Sequence, residues 1–168
     1  MTLNDAHKVA QIVAASGGQI VGRTRLQKIT YFLSVAGFED SFEFAYKHYG
    51  PFSEELATAA SLAKVLGELQ EIERPASWGG MYSIFSTQIK TEHAIKSDFA
   101  KQAAAAEAIP LELAATAVFL AQDGYEDAWN ETKRRKPEKS TDENIIKAKA
   151  LLAKLSALET PKNIPNIA

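Results

Sequence analysis

Cysteine is absent from the 168-residue chain, which excludes disulfide bonds, cysteine nucleophiles and thiolate metal sites. No apolar run approaches the roughly 18 residues that a membrane helix needs, and the N-terminal segment contains Asp5 and lacks the apolar core of a signal peptide. Basic residues are not in excess, because 19 lysines and arginines stand against 21 acids. These absences predict a cytoplasmic protein with no general attraction to nucleic acid or anionic lipid.

Catalytic and cofactor motifs are missing as well. The sequence contains no G-x-S-x-G, no P-loop and no G-x-G-x-x-G, and its three histidines lack the spacing of a zinc-binding helix. Of these, His48 is expected to pack or to hydrogen-bond at the end of a strand. Neighbouring acids are explained by helix capping and solvation. We therefore expect no enzyme, no cofactor and no metal, with a site assembled from distant residues as the open alternative.

The N-terminal half is predicted to fold as helix, helix, strand, helix and β-hairpin. Glycines 17–18, 37 and 67 end three predicted helices, and Thr24 with Gln27 forms a T-x-x-Q capping box at the start of the second. Ser53 is the predicted N-cap of the third helix. Alternation over residues 42–49 indicates a strand that ends at Gly50-Pro51, and residues 69–74 and 81–85 indicate a hairpin. This order matches a winged helix-turn-helix with the hairpin as wing.

The C-terminal half is predicted to be helical. Helices are expected over residues 92–108 and 110–122, around Trp129, and from a capping box of Ser140 and Glu143 onwards. Residues 159–168 contain two prolines and are expected to form a loose, flexible tail. The prediction is thus an α+β, mainly α fold. It forms one domain over residues 1–158, with a soft boundary near 88 between a winged-helix-like half and a helical half.

DNA binding is the alternative that the basic residues leave open. A winged helix inserts its third helix into the major groove, but here that helix begins with Glu54 and Glu55, which would repel DNA. The basic run at 133–136 is more simply explained by a helix dipole and solubility. The residues that could contact nucleic acid are Arg23, Lys64, Arg134 and Arg135.

Two short motifs in the N-terminal half resemble a family signature. Residues 26–32, LQKITYF, are similar to the K-L-Q-K-L-L-Y-F signature of the SocA-like (Panacea) antitoxin domains. Tyr49-Gly50-Pro51 resembles their Y-G-P turn before a helix. The resemblance covers about residues 22–56; Arg25 replaces the usual lysine, the segment after the turn differs, and the late motifs of the family are not evident. The chain therefore resembles a sister branch of that superfamily.

The resemblance implies a protein-interaction module. Members of that family are described as helical domains that bind and neutralise a partner toxin, or deliver it to a protease. No catalytic residue transfers, and the implied partner is a protein, possibly a toxin. We expect an exposed partner-binding set, and aromatic residues on one free face of the strand at 42–49. The predicted partner-binding residues are Arg25, Lys28, Tyr31, Tyr49, Gly50 and Pro51.

Overall fold

Residues 3–167, which a computed structural model describes, form seven helices and five short strands. The helices are α1 (Leu3–Ala15), α2 (Arg23–Val35), α3 (Glu54–Val65), α4 (Ala94–Ala104), α5 (Ala108–Gln122), α6 (Ala128–Arg135) and α7 (Asp142–Ser156). The strands are β1 (Gln19–Val21), β2 (Ala45–Lys47), β3 (Gly50–Phe52), β4 (Gln70–Pro75) and β5 (Met81–Ser86). The fold class is α+β and mainly α, as predicted.

Both sheets are antiparallel. The larger has the order β1-β5-β4, so the predicted hairpin of β4 and β5 is confirmed and gains β1 as a third strand. The smaller is a hairpin of β2 and β3, in which Tyr46 lies opposite Pro51. Gly50-Pro51 was predicted to end a strand and instead forms part of β3. Proline is tolerated there because a two-stranded sheet has free outer edges. The winged-helix interpretation stays a prediction.

One hydrophobic core contains side chains from both halves of the chain. Its members include Val9, Phe32, Phe99, Leu113 and Leu155, all fully buried. The central element is α5, which is buried on nearly every side, the pattern of a core helix. It packs on α2, α6, α7 and β3. Within the described part of the chain, no single helix has the length and apolarity to cross a membrane, although α4 and α5, bent by 115°, would pass together on length and composition.

The predicted helix caps have mixed outcomes. Ser53 is confirmed as the N-cap of α3, because its hydroxyl accepts a hydrogen bond from the Leu56 amide at 3.1 Å. The capping box of Thr24 and Gln27 is wrong, since Gly22 is the N-cap of α2 and makes no side-chain cap. The box starting at Ser140 is also wrong.

The N-cap of α7 is the residue after Ser140. Thr141 caps α7 by accepting a hydrogen bond from the Asn144 amide at 3.2 Å. In α2, Gln27 does not reach back to its own helix because a buried tertiary partner takes its amide group.

Residues 159–167 lie against the core. The Lys162 amide donates to the carbonyl oxygen of Ala36 at 2.9 Å, and Ile164 is only 7% exposed. Ile167 packs partly buried on the same core. The expectation of a loose tail followed from the prolines and did not include these anchoring contacts.

Candidate functional site

The two motifs that carry the family resemblance form a single buried contact. The Gln27 amide donates to the carbonyl oxygen of Ser53 at 2.9 Å and accepts from the Ser53 amide at 2.8 Å. The next residue, Lys28, donates from its ammonium to the carbonyl oxygen of Pro51 at 2.8 Å. Two adjacent side chains of α2 therefore bind main-chain atoms of the hairpin and of the residue that caps α3.

A cluster of charged side chains surrounds this contact. We call Lys28, Glu112, Lys136 and Lys139 the lysine–glutamate cluster. Glu112, on α5, is 4% exposed and accepts hydrogen bonds from Lys136 at 2.8 Å and from Lys139 at 3.0 Å. Lys136 also donates to the carbonyl oxygen of His48 at 3.0 Å. The turn of the hairpin is thus held to the core by lysines from two different parts of the chain.

The buried position of Lys28 lowers its pKa. Its side chain is 1% exposed, and removal from water lowers its pKa to about 8, because burial disfavours the charged form. The carboxylate of Glu112 opposes this effect, whereas the positive charges of Lys136 and Lys139 reinforce it. A lysine of this kind is close to its titration point under mildly alkaline conditions.

Gly50 places the hairpin in direct contact with α5. Its φ is +93°, and an added Cβ would stand 2.5 Å from Oγ1 of Thr116. That distance is shorter than any normal contact, and φ is in the region that favours glycine. The Thr116 hydroxyl is buried and has no hydrogen-bond partner within the described residues. The close approach therefore requires glycine at this position.

The predicted exposure of the partner-binding set is wrong for four of its residues. Lys28 and Tyr31 are 1% and 4% exposed, and Gly50 and Pro51 are buried. Their polar groups face main-chain or side-chain partners inside the fold, which a local motif does not reveal. Tyr49 is exposed, at 56%, with the Lys139 ammonium 4.9 Å from its ring centroid.

Arg25 has a structural contact of its own. Its guanidinium donates to the carbonyl oxygens of Ala104, at 3.0 Å, and of Ala106, so it satisfies acceptors at the C-terminal end of α4. A cation there also complements the helix dipole. Removal from water lowers the pKa of Arg25. Of the predicted set, Arg25 is thus already engaged within the chain.

A surface groove of about 450 Å³ opens beside Tyr31. Four aromatic side chains and five polar ones line it, and we call it the aromatic groove. Its aromatic residues are Tyr31, Phe42, Phe44 and Phe119, and its polar residues are Ser34, Gln122, Asp123, Lys162 and Asn163. We call the aromatic side chains its floor and the polar ones its rim. Tyr31 and Phe42 are themselves buried, so a partner would touch the rim and the half-buried rings of Phe44 and Phe119.

Tyr31 organises the floor of the aromatic groove. Its ring meets Phe44 edge-on at 5.3 Å and lies 6.2 Å from Phe119. Its hydroxyl donates to Oε1 of Gln122 at 3.0 Å. Burial raises the pKa of Tyr31, so the phenol stays protonated and remains a donor. The floor is consequently held by both ring packing and a hydrogen bond.

The aromatic strand does not present the free face that the sequence suggested. Tyr46 lies 6.2 Å from Phe119 on α5 and carries the Arg135 guanidinium 4.7 Å from its ring centroid. Phe42 is buried. Ala45 and Lys47 point the other way and are exposed. What remains open to a partner is therefore Tyr49, which is exposed at the turn, and the half-buried edge of Phe44 in the aromatic groove.

The basic residues expected to contact nucleic acid are all paired with carboxylates. Arg23 lies 2.9 Å from Glu71, and Lys64 lies 3.2 Å from the same side chain. Arg134 and Arg135 both contact Glu131, at 2.5 and 2.6 Å.

The second of these carboxylates titrates at unusually low pH. Hydrogen bonds from Arg134 and then Arg135 lower the pKa of Glu131 to about 2. Because Glu131 stays ionised, both arginines keep an anionic partner across the physiological pH range.

Several residues of this region lay outside the sequence-based prediction. The lysine–glutamate cluster beside the hairpin turn includes Glu112, Lys136 and Lys139. The aromatic groove includes Phe119 and Gln122. One signal was present: Glu112 is the sole charged residue in the fifteen-residue α5, and a charge in an apolar helix indicates a buried pair. Across residues 3–167, no three or more His, Asp or Glu side chains come together as a metal site.

Comparison with protein-family models and with curated proteins finds no match for this chain.

Proposed function

We propose that this protein is a non-enzymatic, cytoplasmic protein-interaction module that binds its partner through the aromatic groove. The observation that carries the proposal is the groove itself, where the half-buried rings of Phe44 and Phe119 lie among polar side chains. Aromatic side chains at the centre of an interface supply most of its binding energy when a polar rim excludes water. The resemblance of residues 22–56 to the SocA-like superfamily suggests a toxin as the partner.

The surroundings of the groove support binding without rearrangement. Tyr31 and Phe119 belong to α2 and α5, two helices of the core, and Phe44 immediately precedes the hairpin that Gln27 and Lys28 hold in place. A site built on such elements loses little conformational freedom when it binds, and this favours affinity. In this proposal the signature residues act by positioning the groove, while Phe44 and the polar rim contact the partner.

A winged-helix DNA-binding regulator is the second candidate. The order of helices and the three-stranded sheet favour it. The charges argue against it, because Arg23, Lys64, Arg134 and Arg135 all have carboxylate partners and α3 begins with Glu54 and Glu55. These carboxylates partly neutralise the basic residues and would repel a phosphate that approached them.

The proposal is tested with variants of the floor and of the rim. Full-length protein is used to capture partners from its source organism, and the product of any adjacent toxin-like gene is tested directly. Phe44→Ala and Asp123→Arg should each weaken binding of the same purified partner by at least about tenfold, the loss expected for a central interface residue. Trp78→Ala and Asp98→Arg change exposed residues elsewhere and should leave the affinity unchanged.

Folded groove variants that keep wild-type affinity for every partner would refute the proposed surface. DNA binding is measured separately, as fluorescence anisotropy of genomic fragments over a range of salt concentrations. The regulator requires an affinity that rises steeply as salt falls. A flat response is expected for a protein-interaction module.

A further inference from the structure

Residues 159–167, here called the strap, cross the protein at a position that requires a glycine beneath them. The Lys162 amide donates to the carbonyl oxygen of Ala36 at 2.9 Å. The next residue is Gly37, whose φ is +86° and whose added Cβ would lie 2.9 Å from Cγ of Lys162 and 3.2 Å from its backbone nitrogen. The strap therefore lies directly on the main chain at the end of α2.

Two isoleucines anchor the strap. Ile164 is buried in the core and Ile167 packs on it partly buried, while Asn163 and Asn166 are exposed. The contact is thus made by a segment without regular secondary structure, with branched aliphatic side chains three residues apart. Such a pattern, with a main-chain hydrogen bond beside apolar anchors, is how extended peptides are recognised by protein surfaces.

The strap separates two cavities. Its first residues, including Pro161, line a cavity of about 650 Å³ together with Phe38 and Ile95. The following two, Lys162 and Asn163, line the aromatic groove. Both cavities are open to solvent, and Pro161, Lys162 and Asn163 of the strap are exposed beside them. If the strap moved away, both cavities would widen along the surface that it now covers.

We propose that the strap occupies a surface to which a segment of the partner binds, and that a partner segment of the same chemistry displaces it. That segment carries two branched aliphatic side chains at positions i and i+3, and has a cationic residue two positions before the first of them. The cation corresponds to Lys162 of the strap, which lines the aromatic groove together with Asp123. The inference rests on the proposed function and adds to it that the free protein is autoinhibited.

The test uses a fluorescent peptide with the sequence of residues 159–167 and full-length protein. Ile164→Asp should release the strap, because it places a charge in the core. The released variant should bind the peptide at least about tenfold more tightly than wild type, since burial of one isoleucine contributes at least that factor. Asn166→Asp adds the same charge at an exposed position and should bind as weakly as wild type.

Two further arms keep the result interpretable. Gly37→Ala hinders the native strap and the added peptide equally, so it should not bind the peptide more tightly than wild type. In the wild type, the Lys162 amide should exchange with solvent by local opening, faster than amides of α5. A peptide that carries Ile164→Asp should not bind, and one that carries Lys162→Glu should bind more weakly than the native peptide.

Specific outcomes would overturn the inference. It fails if folded Ile164→Asp binds the peptide no better than wild type. It also fails if Ile164→Asp cannot fold, or if the Lys162 amide exchanges only on global unfolding, because the strap would then be a part of the core. None of these measurements needs the partner. Loss of the proposed function would instead appear as unchanged partner affinity in Phe44→Ala and Asp123→Arg.

Discussion

Raising the pH from 7 to 9.5 is expected to stabilise the fold through Lys28. The pKa of this lysine is about 8 in the native protein, against 10.5 for a lysine in water. Between these values the unfolded chain binds the proton and the native chain does not. The free energy of unfolding therefore rises with pH over this interval. The neutral amine can still donate to the carbonyl oxygen of Pro51, so the hairpin keeps its contact.

The magnitude follows from the two pKa values. The pKa of Lys28 is about 2.5 lower in the native protein than in the unfolded chain, so complete deprotonation raises the free energy of unfolding by about 3 kcal/mol. About 2 kcal/mol of this rise occurs between pH 7 and 9.5. Measurements should stop near pH 9.5, because burial raises the pKa of Tyr31. Above that pH, ionisation of this tyrosine in the unfolded chain lowers stability and opposes the effect of Lys28.

Lys28→Met isolates this contribution. At pH 7 the variant loses a buried charge but leaves the Pro51 carbonyl without a donor, and the two effects, of about 3 and about 1–3 kcal/mol, nearly cancel. At pH 9.5 the charge is mostly gone from the wild type, so the variant should be less stable by about 2 kcal/mol more than at pH 7.

Urea denaturation across this pH range measures the difference between the two proteins. Lys133→Met, which removes an exposed ammonium, should show no comparable pH dependence. A difference between wild type and Lys28→Met that stays constant from pH 7 to 9.5 would refute the reasoning.

Three further substitutions test contacts of the hairpin and of α4. Gly50→Ala should lower the free energy of unfolding by about 3 kcal/mol, since its Cβ would stand 2.5 Å from Oγ1 of Thr116. Adding Thr116→Ala to this variant should recover part of the loss. If Gly50→Ala alone were as stable as wild type, the close approach would be contradicted. Ser53→Ala removes the hydroxyl that accepts from Leu56 and should cost about 1 kcal/mol in urea denaturation; no change would mean that the cap is not needed. Arg25→Met should speed amide exchange at the end of α4, and unchanged exchange there would show that its hydrogen bonds are dispensable.

The elements that periodicity reveals were predictable from sequence. Helices, glycine stops and the β4–β5 hairpin depend on residues within a few positions of one another, and so does the Ser53 cap. The Gln27 capping box looked equally local but was wrong. Its amide pairs with Ser53, 26 residues away, and such a pairing has no local signal.

The site was less predictable than the fold. Tyr31 and the Y-G-P turn were assigned to one exposed partner-binding set, and their burial was not foreseen, because a phenolic hydroxyl and a turn suggested exposure. Lys28 is buried only because the Pro51 carbonyl satisfies its ammonium. The residues that complete the site come from α5 and from the segment after α6, and no sequence spacing links them to residues 26–32.

The hydrogen bonds that hold the hairpin reach main-chain atoms, and this leaves the exposed turn free to change its side chains. Gln27, Lys28 and Lys136 bind carbonyl and amide groups of His48, Pro51 and Ser53. Gly50 and Ser53 are fixed by contacts of their own, but the exposed His48 contributes only its carbonyl oxygen. The turn can therefore serve as an exchangeable display loop, in which new side chains alter what the surface recognises at little expense to folding.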